Sequence, residues 1–114
     1  MKDCVIYVRS STWKQGDSIR RQMQYCMDYA SKHGLHIVDV FCDKGRSGYE
    51  PHKLVARNRL IDAYADAPTK PLVLVEMMDR WGRMPTKWDA HFDIVECMRE
   101  QWISDALADA EHKR

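Results

Sequence analysis

Cys4-Val5-Ile6-Tyr7-Val8-Arg9-Ser10-Ser11-Thr12 passes from an apolar, β-branched run to a guanidinium followed by hydroxyls. The first part has the composition of a buried strand, and the second is too polar to remain inside one. Two further stretches repeat the pattern. His36-Ile37-Val38-Asp39-Val40-Phe41-Cys42 leads into the Gly- and charge-rich loop 43–51, and Pro71-Leu72-Val73-Leu74-Val75-Glu76-Met77 leads into a loop over 79–85. The last run is apolar almost throughout, as a strand covered on both faces should be.

Helical patterns separate these runs. Asp17 or Ser18 caps a predicted helix whose Ile19, Met23, Cys26, Met27 and Ala30 recur at helical spacing, with Gly34 as its stop. A second helix is expected from Val55 to Asp66, ending before Pro68. Phe92, Val95, Met98, Trp102 and Ala106 keep a three-to-four spacing, so 86 to about 111 reads as one long amphipathic helix. Alternating strands and helices imply an α/β fold with a mostly parallel central sheet and flanking helices. Three strands are clear, and a fourth is left open.

The 114 residues fit one compact domain, here 1–114. A chain of this size buries roughly 65% of its unfolded surface and needs neither disulfide nor metal to hold a core. Its 18 Lys and Arg nearly balance its 17 Asp and Glu, which argues against a dedicated, strongly basic nucleic-acid module. The charge is uneven, however: residues 1–87 carry +5 and residues 88–114 carry −4, so the tail repels phosphate. No apolar stretch approaches a membrane span, and no signal-peptide pattern opens the chain, so an intracellular, cytoplasmic protein is expected. Cys4, Cys26, Cys42 and Cys97 form no CxxC pair and read as reduced thiols packed like small hydrophobes. His33 and His36 have no third ligand, so no metal site is expected.

In parallel sheets functional groups gather at the carboxyl ends of the strands. The three strand-end loops bring Arg9, Ser10, Ser11, Gln15, Lys44, Arg46, Ser47, Asp79, Arg80 and Arg83 to one rim, an anion site by construction. No histidine is placed to activate a serine there. Arginines can instead stabilise charge building on a phosphorus centre through bidentate hydrogen bonds.

Five short pieces, in order, resemble the serine recombinases, the resolvase/invertase group and its large phage-integrase relatives. Tyr7-Val8-Arg9-Ser10-Ser11-Thr12 is similar to Y-x-R-x-S-T, and Ser18-Ile19-Arg20-Arg21-Gln22 to S-[IL]-x-x-Q. Asp43-Lys44-Gly45-Arg46-Ser47-Gly48 resembles D-x-G-x-S-G, and Arg57-Asn58-Arg59-Leu60 resembles R-x-x-L. Met78-Asp79-Arg80-Trp81-Gly82-Arg83 resembles L-D-R-[LF]-[SG]-R, with Trp81 where Leu or Phe is usual. The matching pieces lie within residues 5–83.

The resemblance implies a resolvase-like three-layer catalytic domain that cleaves and rejoins DNA without metal or other cofactor. By motif position Ser11 is the nucleophile, forming a 5′-phosphoserine link and freeing a 3′-hydroxyl. Arg9, Arg57, Arg80 and Arg83 fall on catalytic arginines, with Gln22 and Asp79 in supporting catalytic positions. Asp79 serves either as acid or base at the leaving oxygen or as a holder of Arg80 or Arg83, and the surrounding positive charge favours the second. Gln15, Asp43, Lys44, Arg46 and Ser47 are expected to meet the DNA. Arg20 and Arg21 read as a solvated or DNA-backbone face. The resemblance also implies a homo-oligomer or a longer recombinase as partner, action at the nucleoid, and a prokaryotic or viral origin. Relatives continue into a long dimerising helix and a DNA-binding domain, neither of which is recognisable here. Two other functions therefore stay open: a non-enzymatic module that docks onto a full-length recombinase, and a domain that binds DNA without cutting.

Overall fold

The computed structural model describes residues 2–12, 16–82, 87 and 91–112, with the side chains of residues 16 and 17 left aside. The chain runs β1 (Asp3–Ser10), α1 (Gly16–Lys32), β2 (His36–Lys44), a 3-10 turn (Pro51–Lys53), α2 (Val55–Tyr64), β3 (Leu72–Val75), α3 (Met78–Trp81), β4 (Ile94–Glu96) and α4 (Cys97–His112). The four strands form one sheet in the order β2-β1-β3-β4, and every pairing is parallel. This is the α/β fold expected from the sequence, with the fourth strand present.

β1 lies inside the sheet, and its alternating side chains build two cores. Val5 and Tyr7 meet Val73, Val75, Leu60, Ile61, Trp81 and Phe92 on one face. Cys4, Ile6 and Val8 meet Leu74, Cys26, Ala30 and Cys97 on the other. Helix α2 thus covers one side of the sheet, while α1 and α4 cover the other. The period of two is what allows a single strand to serve both layers.

One expectation needs correcting. Residues 86–111 do not form one helix: Ile94, Val95 and Glu96 pair with Val73, Leu74 and Val75, and α4 begins only at Cys97. The exposed edge of β3 has backbone donors and acceptors to satisfy, and a β-branched pair beside it satisfies them better than a helical turn would. The apolar stripe divides accordingly. Phe92 is buried in the core, whereas Trp102 is 56% exposed. The helix start expected near Thr86 lies outside the described residues. The short loop expected after β3 contains a single helical turn, α3.

Cys4, Cys26 and Cys97 are buried as expected, but Cys42 is exposed, because α1 covers β1 and leaves that face of the edge strand β2 open. No helix among the described residues is long and apolar enough to cross a membrane.

Candidate active site at the strand ends

Arg9 is the hub. Its side chain is buried, and three nitrogens donate to backbone carbonyls: Nε to Arg80 (3.1 Å), Nη1 to Arg46 (2.9 Å) and Nη2 to Asp79 (2.7 Å). One guanidinium therefore ties the end of β1 to the segments that follow β2 and β3. The sequence reading expects Arg9 at a phosphate; the structure shows its guanidinium also holding three carbonyls. Backbone carbonyls carry no signature in the sequence, so this role was invisible beforehand.

Gln22 performs the same service for the Arg9 backbone. β3 pairs with β1 only as far as Ile6. Beyond it, the buried Gln22 carboxamide accepts from Arg9 N (3.0 Å) and donates to Arg9 O (2.8 Å), the two bonds a neighbouring strand would make. Its amide also reaches Ser18 Oγ at 3.1 Å. Gln22 holds the end of β1 rather than facing the rim.

The two adjacent serines part company. Ser10 is fully buried; its hydroxyl donates to Thr12 O (3.0 Å) and accepts from Gly45 N (3.4 Å), while its carbonyl accepts from Arg46 N (3.0 Å). Ser11, one residue beyond β1, is exposed. Gly45, with φ of 71°, makes the left-handed turn that brings the loop after β2 back against Ser10. Lys44 at the end of β2 and Arg46 on this loop are exposed, and Ser47 Oγ accepts from Tyr49 N at 3.2 Å.

Asp43, expected from the sequence to meet DNA, is 4% exposed and engaged inside the protein. Its carboxylate accepts from Tyr7 Oη (2.7 Å), Ala56 N (2.9 Å) and Arg57 N (3.0 Å). Leu54, the residue before α2, offers no side-chain cap, and Asp43 satisfies the helix's free amides from another strand. Burial, and then the neighbouring Asp43 charge, pushes the Tyr7 phenol far above its usual range.

Arg57 is likewise interior. Its Nη1 donates to Trp81 O (2.9 Å), and its guanidinium lies 5.4 Å from the centre of the Trp81 ring. Trp81 in turn packs edge-on against Tyr7, with centroids 5.8 Å apart. Gly82 is needed for this approach: a Cβ there would sit 2.6 Å from Arg57 Nη1.

Arg80 keeps 17% of its side chain exposed. Its Nη1 reaches Arg9 O at 3.3 Å and its Nη2 reaches Ser18 Oγ at 3.5 Å, both long bonds. Its Nε donates to Glu76 Oε1 at 3.3 Å. Asp79 is half-buried beside it at the start of α3. Arg83 and Gln15 lie outside the described residues.

Glu76 was missed by sequence reasoning, which absorbed it into the third strand. It is 1% exposed, and besides Arg80 it binds Arg21 through Nε (2.6 Å) and Nη2 (3.3 Å). Arg21 is therefore partnered, not merely solvated, and its hydrogen bond to Glu76 is the main cause that raises its pKa. The available signal was a lone carboxylate ending an apolar run, since an unpaired charge is almost never fully buried.

Two cavities lie away from this rim. One of about 210 Å³ separates α1 from α4, beside Tyr29 and Leu107. Another of about 450 Å³ lies at the opposite end of the strands, beside Lys2 and Lys70. Among the described residues no group of three or more His, Cys, Asp or Glu is arranged to hold a metal ion.

The family model for the resolvase N-terminal domain matches residues 4–103. The chain belongs to that family. This recombinase catalytic domain has the same fold as the C-terminal catalytic domain of ISC1926 TnpA, an IS607-like serine recombinase. They share 21% identity over 93% of this chain and 79% of that one, with a TM-score of 0.73. The corresponding domain of IS1535 TnpA, also IS607-like, shares 24% identity over 82% and 69% of the two chains, with a TM-score of 0.64. The N-terminal catalytic domain of TP901-1 integrase is 31% identical over 73% of this chain, with a TM-score of 0.56; there the match spans 62% of the integrase domain. No curated protein matches the chain. Cleavage and rejoining through a phosphoserine is the characteristic chemistry of this family of enzymes.

Proposed function

We propose that Ser11 is the nucleophile of this recombinase domain and that Arg80 is the phosphate ligand nearest to it. Ser11 Oγ attacks the phosphorus of a DNA phosphodiester and loses its proton. The new Oγ–P bond leaves a 5′-phosphoserine, while the P–O3′ bond breaks and the 3′-oxygen departs as a hydroxyl. Rejoining is the reverse attack by a 3′-hydroxyl, and because the ester conserves the bond energy, no nucleotide cofactor is consumed. Arg80 stabilises the charge that builds on the non-bridging oxygens, helped by Arg83, with Asp79 orienting them. Lys44 and Arg46 hold the DNA backbone.

The observation that carries this reading is the split between the two serines. Ser10 has both roles of its hydroxyl occupied in the interior, while Ser11 stands exposed just past β1, whose Arg9 carbonyl accepts from Arg80. Arg9 and Arg57 fit a supporting role: both build the platform from within.

Cutting both strands of a duplex requires paired subunits, so the active form is a homo-oligomer or an assembly with a longer recombinase, acting on DNA in the cytoplasm. Exposed Trp102, Ile103 and Leu107 on α4 support such assembly. Incubation with nicked or supercoiled DNA in excess chelator, followed by denaturing electrophoresis, tests the chemistry. Covalent adducts should form, vanish in Ser11→Ala and persist in Ser10→Ala. Adducts surviving in Ser11→Ala would remove the assignment. Assembly with a longer recombinase but no adduct would make the chain a docking module.

A further inference from the structure

We infer that Glu76 is a positioning residue that fixes Arg80 by its Nε edge, with Arg21 restoring the positive charge that this pairing would otherwise cancel. The inference rests on the reading of Arg80 as a phosphate ligand and adds two residues to it.

Glu76 directly follows β3, where its backbone is anchored: its carbonyl accepts from Met98 N, in the first turn of α4, at 3.2 Å. The carboxylate is thus a fixed point between two flexible guanidiniums. Arg21 meets it almost as a fork, Nε on Oε2 and Nη2 on Oε1. Arg80 touches Oε1 only through Nε, so its terminal nitrogens are left for Arg9 O at the end of β1 and Ser18 Oγ in the first turn of α1.

That division of donors has a chemical consequence. The bonds from Arg80 Nη1 and Nη2 to Arg9 O and Ser18 Oγ are 3.3 and 3.5 Å long, at the weak end for N–H···O bonds. An arriving phosphate can take both nitrogens without disturbing the Nε contact, so Arg80 changes partners while its position is kept. A Glu–Arg pair alone would carry no net charge toward that phosphate. With Arg21 the three side chains sum to +1, and the field at the rim is retained. Arg21, at 52% exposure, contributes this from α1.

The test uses a pool of nicked random-sequence duplex oligonucleotides as probe, reading the rate of adduct formation and DNA affinity separately. Glu76→Gln should slow adduct formation about 10-fold, part of the ~10²–10³ that losing a stabilising donor costs. Affinity for the probe should change less than about 2-fold, and Glu76→Asp should recover part of the rate. In an Arg80→Lys background, where no Nε–H remains, the Glu76→Gln effect should shrink to under about 2-fold, because coupled residues are not additive. Arg21→Gln should also slow the reaction, most at low salt. The Arg80 Nε–Hε proton, identified in nitrogen-edited NMR spectra by its loss in Arg80→Lys, should be protected in the parent protein and exchange faster in Glu76→Gln.

Equal slowing by Glu76→Gln in both backgrounds would reveal a general structural role and overturn the inference. So would an unchanged rate or an unmoved Hε signal. If Arg80→Lys itself keeps the full rate, or the parent protein forms no adduct, the reading of Arg80 or of the reaction falls. The Hε signal then decides by itself whether Glu76 holds Arg80.

Discussion

Two buried carboxylates flank β1 at the same end of the sheet, Asp43 in β2 and Glu76 just after β3, and they are satisfied in opposite ways. Asp43 takes its hydrogen bonds from a phenol and two backbone amides. Glu76 takes its bonds from two guanidiniums. Neutral donors built into a helix and a packed ring leave Asp43 nothing to exchange, so the β2–α2 corner is a fixture. The cationic partners of Glu76 stand on long side chains that reach the rim, so the β3–α1 corner has donors left for a ligand. Burial by itself does not separate structural from functional charge; the mobility and charge of the partners do.

Replacing the fixture should cost the most stability. Asp43→Ala strands the Tyr7 hydroxyl and two amides of α2, and should lower the unfolding free energy by about 3 kcal/mol in urea titrations. A loss below about 1 kcal/mol would mean that water serves those donors equally well and would break the contrast between the corners.

A smaller effect comes from the approach of Arg57 to Gly82. Gly82→Ala places a methyl group against Arg57 Nη1 and should cost about 2 kcal/mol, read as a lower thermal midpoint. Part of that cost should disappear in an Arg57→Ala background. Full additivity of the two changes would show that the glycine serves only its own backbone.

The finest test concerns pH. Tyr7→Phe should cost about 1 kcal/mol at neutral pH, one buried hydrogen bond. The folded state raises the Tyr7 pKa, so it binds that proton more tightly than the unfolded chain does. The resulting stability is complete below the ordinary tyrosine value of about 10 and is lost progressively as pH rises above it. Urea midpoints from about pH 8 to about pH 11 should therefore fall in the parent protein and fall less in Tyr7→Phe. Parallel curves would detach Tyr7 from the titration.

Much of the fold was legible because burial leaves a pattern. Cys4 to Val8 and Val73 to Val75 read as strands from composition alone and lie at the heart of the two cores. The fourth strand was not legible, since Ile94-Val95-Glu96 also fits a helical stripe, and the choice depends on the free edge of β3 beside it. At the rim, motif spelling brought out Ser11, Arg9, Arg57 and Arg80. It did not reveal that Arg9 and Arg57 bind carbonyls from below, or that Asp43 caps a helix by accepting from the Ala56 amide 13 residues further along.

From the order of its residues alone, this protein was bound to be a strand–helix alternation with hydroxyls and arginines at one rim, because periodicity and strand-end chemistry are local properties of a chain. Which guanidinium faces solvent, which serine is spent on a loop and which carboxylate holds which cation were decided only in three dimensions. Those outcomes depend on hydrogen bonds between residues up to 71 positions apart, as between Arg9 and Arg80, and no local pattern encodes them.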